Sequence, residues 1–261
     1  MMSRTHPWVA AVTCAALVVM TGMAPATPPH ALDRSVTNDA FGVGEWLKFS
    51  IGYGFIDAGD AVMEIREVID IHDRPVYRIV STATSNRVFD EVYRVRDTMR
   101  TWMDVEGLFS WRFEKRTHEG DYQQVQTVLF DQERGVAVSG QDTTEVPPYA
   151  QDVMAAFYYI RSQPLQVGDT LVVPHFSEGK QYDLGVIVHS QERIETPAGE
   201  FDCIKVEPLL RTEGMFRQEG RVFIWLTDDR LHMPVLVRSK LSVGSIRAEL
   251  TGYRIGELWE E

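Results

Sequence analysis

Residues 93–103 read YRVRDTMRTWM, and this stretch shows a clear two-residue repeat. Tyr93, Val95, Met99 and Met103 fall on one face of the repeat, whereas the other face carries three arginines. A period of two is typical of a β-strand that has one buried and one exposed face. The stretch therefore predicts a half-buried strand.

The same alternation recurs along much of the chain. It is found in residues 47–53, 61–66 and 222–226, and turn-forming residues such as Gly244 and Ser245 separate the runs. We count roughly 12 to 14 strands, joined mostly by short links that favour antiparallel neighbours. The sequence therefore predicts a mainly β protein with an antiparallel, strongly curved sheet or incomplete β-barrel. No linker rich in Gly, Ser or Pro divides it, so we expect one continuous sheet system.

One segment departs from the β pattern. In Tyr149–Ser162, which is flanked by prolines, Val153, Phe157 and Ile160 fall at positions i, i+4 and i+7. This spacing is typical of one apolar face of a helix. We predict a central helix that packs on the open side of the sheet and buries these three side chains.

The N-terminus has the pattern of an export signal. Trp8–Met23 is a 16-residue, mostly apolar run without charge, preceded by Arg4 and followed by the cleavage motif Ala-Pro-Ala at 24–26. An uncleaved N-terminal anchor is the alternative. We predict a periplasmic protein with a signal peptide over residues 1–26, a flexible leader over 27–43, a single β-rich domain over 44–256 and a C-terminal tail over 257–261.

Composition narrows the classes of function. Acidic residues outnumber basic ones by 38 to 26, which gives a formal net charge of −12. A nucleic-acid partner is therefore not expected, because phosphate contacts need clustered Lys and Arg. Cleavage of the signal would remove Cys14 and leave Cys203 without an intramolecular disulfide partner. We expect Cys203 to be a buried structural thiol, with a reactive thiol as the alternative.

No residue spacing in the chain is typical of a catalytic or metal site. The sequence contains no H-E-x-x-H, C-x-x-C or G-x-S-x-G pattern and no Gly-rich phosphate loop. We therefore expect neither a metal nor a cofactor.

A few polar residues remain as candidates for a site. Adjacent acids with a nearby His, such as Asp228 and Asp229 with His232, can serve general acid–base chemistry. A turn between two strands is the simpler interpretation of these acids, and a pairing of Asp229 with Arg161 or Arg238 is another. The candidates for a polar site are Asp152, Arg161, Asp228 and Asp229.

Large aromatic side chains form the second group of candidates. On a curved sheet they could line a cavity for a lipid or another hydrophobic ligand, whereas filling the core is the alternative. The candidates for ligand binding are Trp46, Trp102, Trp111, Tyr158 and Trp225.

Several short sequence blocks follow one another in a characteristic order. They are GEWLKF at 44–49, AGDA at 58–61, QDV at 151–153, FYYIR at 157–161, LQVGD at 165–169, TPAGEFDC at 196–203, IWLTDD at 224–229 and MPV at 233–235. In these blocks, residues 44–254 resemble the DUF3108 family of exported bacterial proteins. The family has no assigned activity and no established catalytic residues, so the resemblance implies none here. It implies an exported β-rich domain, similar in shape to the open half-barrels of the lipoprotein carriers LolA and LolB, in which a curved sheet holds acyl chains.

These observations predict a non-enzymatic envelope protein that binds a lipid or another hydrophobic or amphipathic ligand in its curved sheet. One alternative is a carboxylate-based hydrolase that acts on an envelope polysaccharide. Another is a structural scaffold for envelope assembly. The expected partners are a lipid or hydrophobic small molecule, an envelope protein, and a membrane contacted peripherally.

Overall fold

The computed structural model describes residues 31–209, 221–240 and 244–259. Within these residues, fourteen strands form one continuous antiparallel sheet. The predicted signal peptide over residues 1–26 lies outside the described residues. The element bounds are β1 (Trp46–Tyr53), β2 (Ile56–Ile71), β3 (Arg74–Ser85), α1 (Arg87–Asp90), β4 (Arg96–Asp104), β5 (Ser110–Glu119), β6 (Tyr122–Asp131), β7 (Val136–Ser139), β8 (Asp142–Glu145), α2 (Val153–Arg161), β9 (Thr170–Ser177), β10 (Lys180–Thr196), β11 (Gly199–Pro208), β12 (Val222–Thr227), β13 (Pro234–Lys240) and β14 (Ser245–Arg254).

The sheet consists of two meanders that meet at their first and last strands. The spatial order is β8-β7-β6-β5-β4-β3-β2-β1-β14-β13-β12-β11-β10-β9, so β1 pairs with β14. Helix α2 lies in the connection between the two meanders, from β8 to β9. The predicted curved, antiparallel sheet with a helix is confirmed.

The two edge strands, β8 and β9, approach each other without pairing directly. Thr144 in β8 donates through Oγ1 to the carbonyl of Gly179 just after β9, at 3.2 Å. The extended segment before α2 completes the junction, because the backbone of Gln151 donates to Pro174 and accepts from Phe176, each at 2.9 Å. The sheet is therefore an incomplete barrel whose seam is bridged by this segment.

Helix α2 is shorter than the predicted Tyr149–Ser162. Tyr149 has a φ of +63°, outside the helical region, and Gln151 pairs with β9, so the helix begins only at Val153. Asp152 caps it by accepting from the backbone N–H groups of Met154 (2.8 Å) and Ala155 (3.1 Å).

The helix packs between the two meanders, and the face that the sequence predicts to be buried is only partly buried. Met154, Ala155 and Tyr158 belong to the core of the first meander. Of the predicted apolar face, Ile160 is buried, Phe157 is half-buried and Val153 is 41% exposed. The prediction that all three are buried is corrected, because the space in front of this face is not filled by side chains.

Residues 31–43 differ from the predicted flexible leader. Ala40 and Phe41 are fully buried, and the Phe41 ring lies 4.8 Å from the Tyr158 ring. The Arg34 side chain donates to the carbonyl of Gly107, with its guanidinium 4.3 Å from the ring of Tyr149. This packing could not be predicted from the sequence, because the segment contains many polar residues and only a few of its residues, such as Ala40 and Phe41, are buried in the core.

At the other terminus, Glu257 of the predicted tail donates its N–H to the carbonyl of Val43 at 2.8 Å.

Candidate ligand cavity

A cavity of about 430 Å³ lies between α2 and the concave face of the sheet, partly open to solvent. Its volume falls within the range of about 300–1,000 Å³ that is typical of small-molecule sites. Among the described residues that line it, only Ser81 carries a polar side chain. The lining residues are Phe49, Ala61, Met63, Ser81, Met99, Val153, Met154, Ala156, Phe157, Ile160, Leu184, Val186, Val206, Pro208, Val222, Ile224, Leu226, Pro234, Val237 and Ala248.

The alternation of the strands places these side chains on the concave face. Val222, Ile224 and Leu226 of β12 all line the cavity, whereas the alternate residues Phe223 and Trp225 do not. β10 and β11 show the same alternation, with Leu184 and Val186 in β10 and Val206 and Pro208 in β11 lining the cavity, because successive side chains point to opposite faces of a sheet. The concave face of this part of the sheet is therefore aliphatic.

Small residues help to leave the cavity unfilled. Ala61 in β2, Ala156 in α2 and Ala248 in β14 line it from three different elements. A protein interior is normally packed to the density of an organic crystal, so a larger side chain at any of these positions would occupy part of the space. The cavity is thus a consequence of alanines that lie far apart in the sequence.

None of the five aromatic candidates is among the described residues that line the cavity. Trp225 lies on the opposite face of β12 and donates through Nε1 to Glu192 Oε2 at 2.8 Å. The Trp102 ring lies 4.9 Å from the guanidinium of Arg112. Trp102 packs against the core cluster that contains Trp111, and neither residue lines the cavity. Trp46 is half-buried at the start of β1.

Tyr158 is fully buried and donates through its hydroxyl to Glu45 at 3.1 Å. The predicted role of these five aromatics in ligand binding stays a prediction. The cavity residues were missed because aromatics were favoured over the aliphatic positions of the same alternation.

Arg161 and Glu45 form a fully buried ion pair at the C-terminus of α2. Two nitrogens of the guanidinium donate to the two carboxylate oxygens at 2.8 and 2.7 Å. The guanidinium also donates to the backbone carbonyls of Leu231 (3.2 Å) and His232 (3.1 Å), in the turn between β12 and β13. Glu45 keeps the pKa of Arg161 above its ordinary value despite burial. Arg161 therefore ties the helix to two parts of the sheet.

Asp152 lies at the other end of α2 and is also fully buried. Besides capping the helix, its carboxylate accepts from Ser110 Oγ at 2.6 Å and Thr101 Oγ1 at 2.9 Å. Burial raises the pKa of Asp152, and these hydrogen bonds counteract the rise. These contacts attach the N-terminus of α2 to β4 and β5, so Asp152 has a structural role.

Asp228 and Asp229 are exposed in the turn that follows β12. Asp229 accepts from Thr227 Oγ1 at 2.7 Å and from the N–H of Leu231 at 2.9 Å. Asp228 accepts from Gln191 Nε2 at 2.7 Å. The turn interpretation fits these contacts, and the suggested partner Arg161 is instead bound to Glu45.

Cys203 is a buried side chain on β11. It is 1% exposed, and burial raises the pKa of its thiol to about 12. Because the thiolate is the reactive form, this environment disfavours reactivity. The structure thus agrees with a structural thiol.

In the described part of the chain, no helix is long and apolar enough to cross a membrane. Within the same residues, no three His, Cys, Asp or Glu side chains are grouped as metal ligands.

Comparisons with known proteins identify a family and a fold. A family model described as protein of unknown function DUF3108 matches residues 48–251. No curated protein matches the chain. Among solved structures, the chain is similar to a β-barrel-like protein of the domain of unknown function DUF1849 from Brucella abortus, with 12% identity, a TM-score of 0.54, and coverage of 84% of this chain and 100% of that chain.

Two further solved structures show lower similarity. A predicted lipoprotein from Parabacteroides distasonis has 12% identity and a TM-score of 0.39, with coverage of 85% of this chain and 100% of that one. A predicted exported protein with a YmcC-like fold from Bacteroides fragilis has 13% identity and a TM-score of 0.30, with coverage of 85% and 99%.

Proposed function

We propose that this chain, which belongs to the DUF3108 family, is an exported envelope protein that carries the hydrocarbon part of a lipid or another amphiphile. The observation that supports the proposal is the apolar cavity of about 430 Å³ inside the incomplete barrel. Export is supported by the signal pattern at residues 1–26.

The chemistry of the lining selects the class of ligand. A polar or charged ligand group would lose its hydration in this cavity and find almost no hydrogen-bond partner there, which is costly. A hydrocarbon chain has no such cost, and each buried methylene contributes about 0.8 kcal/mol. We therefore expect affinity to rise with chain length until the cavity is full, with the polar headgroup of the ligand left at the opening.

The proposal is tested with a fluorescent fatty acid, dansyl-labelled undecanoic acid, titrated into the purified protein. Ala61→Trp places an indole in the cavity. The matched control is Val62→Trp, because Val62 is the next residue of β2 and does not line the cavity. Circular dichroism and urea unfolding establish that both variants are folded.

We expect the wild type and Val62→Trp to bind the probe with affinities that agree within about twofold. We expect folded Ala61→Trp to bind it at least about tenfold more weakly, since the indole occupies the space of the chain. Absence of binding to the wild type, or equal binding to both variants, would overturn the proposal.

A further inference from the structure

An apolar patch is exposed on two neighbouring loops of the barrel rim. Phe55, in the turn between β1 and β2, is 106% exposed, and Ile56, the first residue of β2, is 57% exposed. Val88 in α1 and Val92 just after it are 76% and 84% exposed. We call these four residues the rim patch. Single exposed apolar residues are ordinary, but a group of large ones on adjoining loops is typical of an interaction site.

The two loops are held together by specific contacts. The side chain of Asn86 caps α1 by accepting from the N–H of Phe89 at 2.9 Å, and it donates to the carbonyl of Asp57 at 2.7 Å. The Phe89 ring lies 6.4 Å from the ring of Tyr53. The rim patch is therefore a built surface in which the turn and α1 are fixed to each other.

The rim patch lies at the end of the barrel toward which the cavity extends. In β4, Met99 lines the cavity, whereas Met103, farther from α1, is fully buried in the core. In β2, Ala61 lines the cavity, whereas Ile65, farther from the β1–β2 turn, is buried. In both strands the cavity-lining residue is therefore nearer than the buried core residue to the end of the barrel that carries the rim patch.

The charges around the rim patch balance. The loops 53–57 and 86–96 carry three arginines and three carboxylates, although the whole chain has a formal net charge of −12. Asp90 is paired with Arg96 at 2.6 Å. This neutral region is better suited to approach a lipid surface than the acidic remainder of the molecule, because surface charge steers association.

We propose that the rim patch inserts into the surface of a lipid bilayer, so that a hydrocarbon chain passes between the bilayer and the cavity without crossing water. The occupant is a bilayer because the patch is made of loop tips that project apolar side chains, as in interfacial membrane anchors, and because it lies at the end of the barrel toward which the cavity extends. The inference rests on the proposed function, since it names the surface from which that ligand is taken or to which it is delivered.

The test is sedimentation of the purified protein with vesicles of pure phosphatidylcholine. The rim variant Phe55→Ser/Val88→Ser/Val92→Ser removes three of the four patch side chains. The control variant Val167→Ser/Val172→Ser removes two exposed valines, 53% and 61% exposed, just before and within β9. Each protein is also titrated with dansyl-labelled undecanoic acid.

We expect the rim variant to bind vesicles at least about tenfold more weakly than the wild type, and the control variant to bind them as the wild type does. Both variants should keep the wild-type affinity for the fatty acid, which shows that fold and cavity are intact. Conversely, Ala61→Trp should lose the fatty acid and keep vesicle binding, so failure of the carrier function and failure of the rim patch give different results.

Any of three outcomes would overturn the inference. The first is vesicle binding by the rim variant that equals that of the wild type, and the second is no vesicle binding by the wild type. The third is a dimer of the wild type in sedimentation velocity that the rim variant lacks, which would assign the patch to a second copy of this chain.

Discussion

Single buried charges in this protein hold the helix in place. Arg161 and Glu45 are bound to each other by two hydrogen bonds. The Asp152 carboxylate accepts hydrogen bonds from two hydroxyls and from two N–H groups at the helix N-terminus. A buried charge needs several such partners, because the free energy lost when the charge leaves water exceeds the stabilisation that one contact provides. Two of the residues that the sequence singles out as a polar site therefore have a structural explanation.

Removal of Arg161 tests this explanation. Arg161→Met leaves the Glu45 carboxylate buried without its partner, and we expect the free energy of unfolding to fall by about 3–5 kcal/mol in urea denaturation. Arg193→Met is the control, since Arg193 also pairs with a glutamate, Glu200, but both side chains are exposed. That change should cost less than about 1 kcal/mol. Equal effects of the two substitutions would show that the Arg161 pair is not an anchor.

The element that closes the barrel is the extended segment 150–152 rather than a fifteenth strand. It pairs with β9 at His175, which is 1% exposed, with an Nδ1 that has no hydrogen-bond partner in the described ranges. Burial lowers the pKa of His175 to about 4. Protonation of His175 would place a charge inside the buried seam.

Stability should therefore depend on pH through His175. Its pKa is lower in the folded than in the unfolded chain, so the unfolded state binds more protons, and stability is lost as the pH falls from about 6.5 towards 4. We expect a loss of about 2–3 kcal/mol in urea denaturation over this range. His175→Phe should flatten the profile, whereas His72→Asn, at an exposed His, should not. An unchanged profile in His175→Phe would contradict this assignment.

At the scale of the whole molecule, two meanders and a helix enclose a space that they do not fill. The helix is fixed at both ends and packs against both meanders, which leaves the aliphatic face of the second meander opposite Val153 and Phe157. In β2 and β4 the residues that line the cavity lie nearer to the rim patch than the buried core residues do. The packed core of the barrel contributes stability, whereas the cavity beside α2 is the part that we propose for a ligand.

The antiparallel sheet could be predicted from the sequence, whereas the cavity could not. Alternation along residues 93–103 and 222–226 depends on local side-chain order, and it correctly indicates the antiparallel sheet. The cavity depends on Ala61, Ala156 and Ala248 meeting in space, which no local pattern reveals. Phe41 likewise becomes a core residue only because the chain folds back on Tyr77 and Tyr158.

The most direct test of the central claim is native mass spectrometry of the protein recovered gently from the periplasm of a bacterium that expresses the full-length gene. For the wild type we predict a mass above that of the chain by one single-chain amphiphile, and loss of this excess on organic extraction. Folded Ala61→Trp, recovered in the same way, should have the mass of the bare chain. A bare wild-type chain that also takes up no fatty acid on incubation would contradict the claim that the cavity is a ligand site.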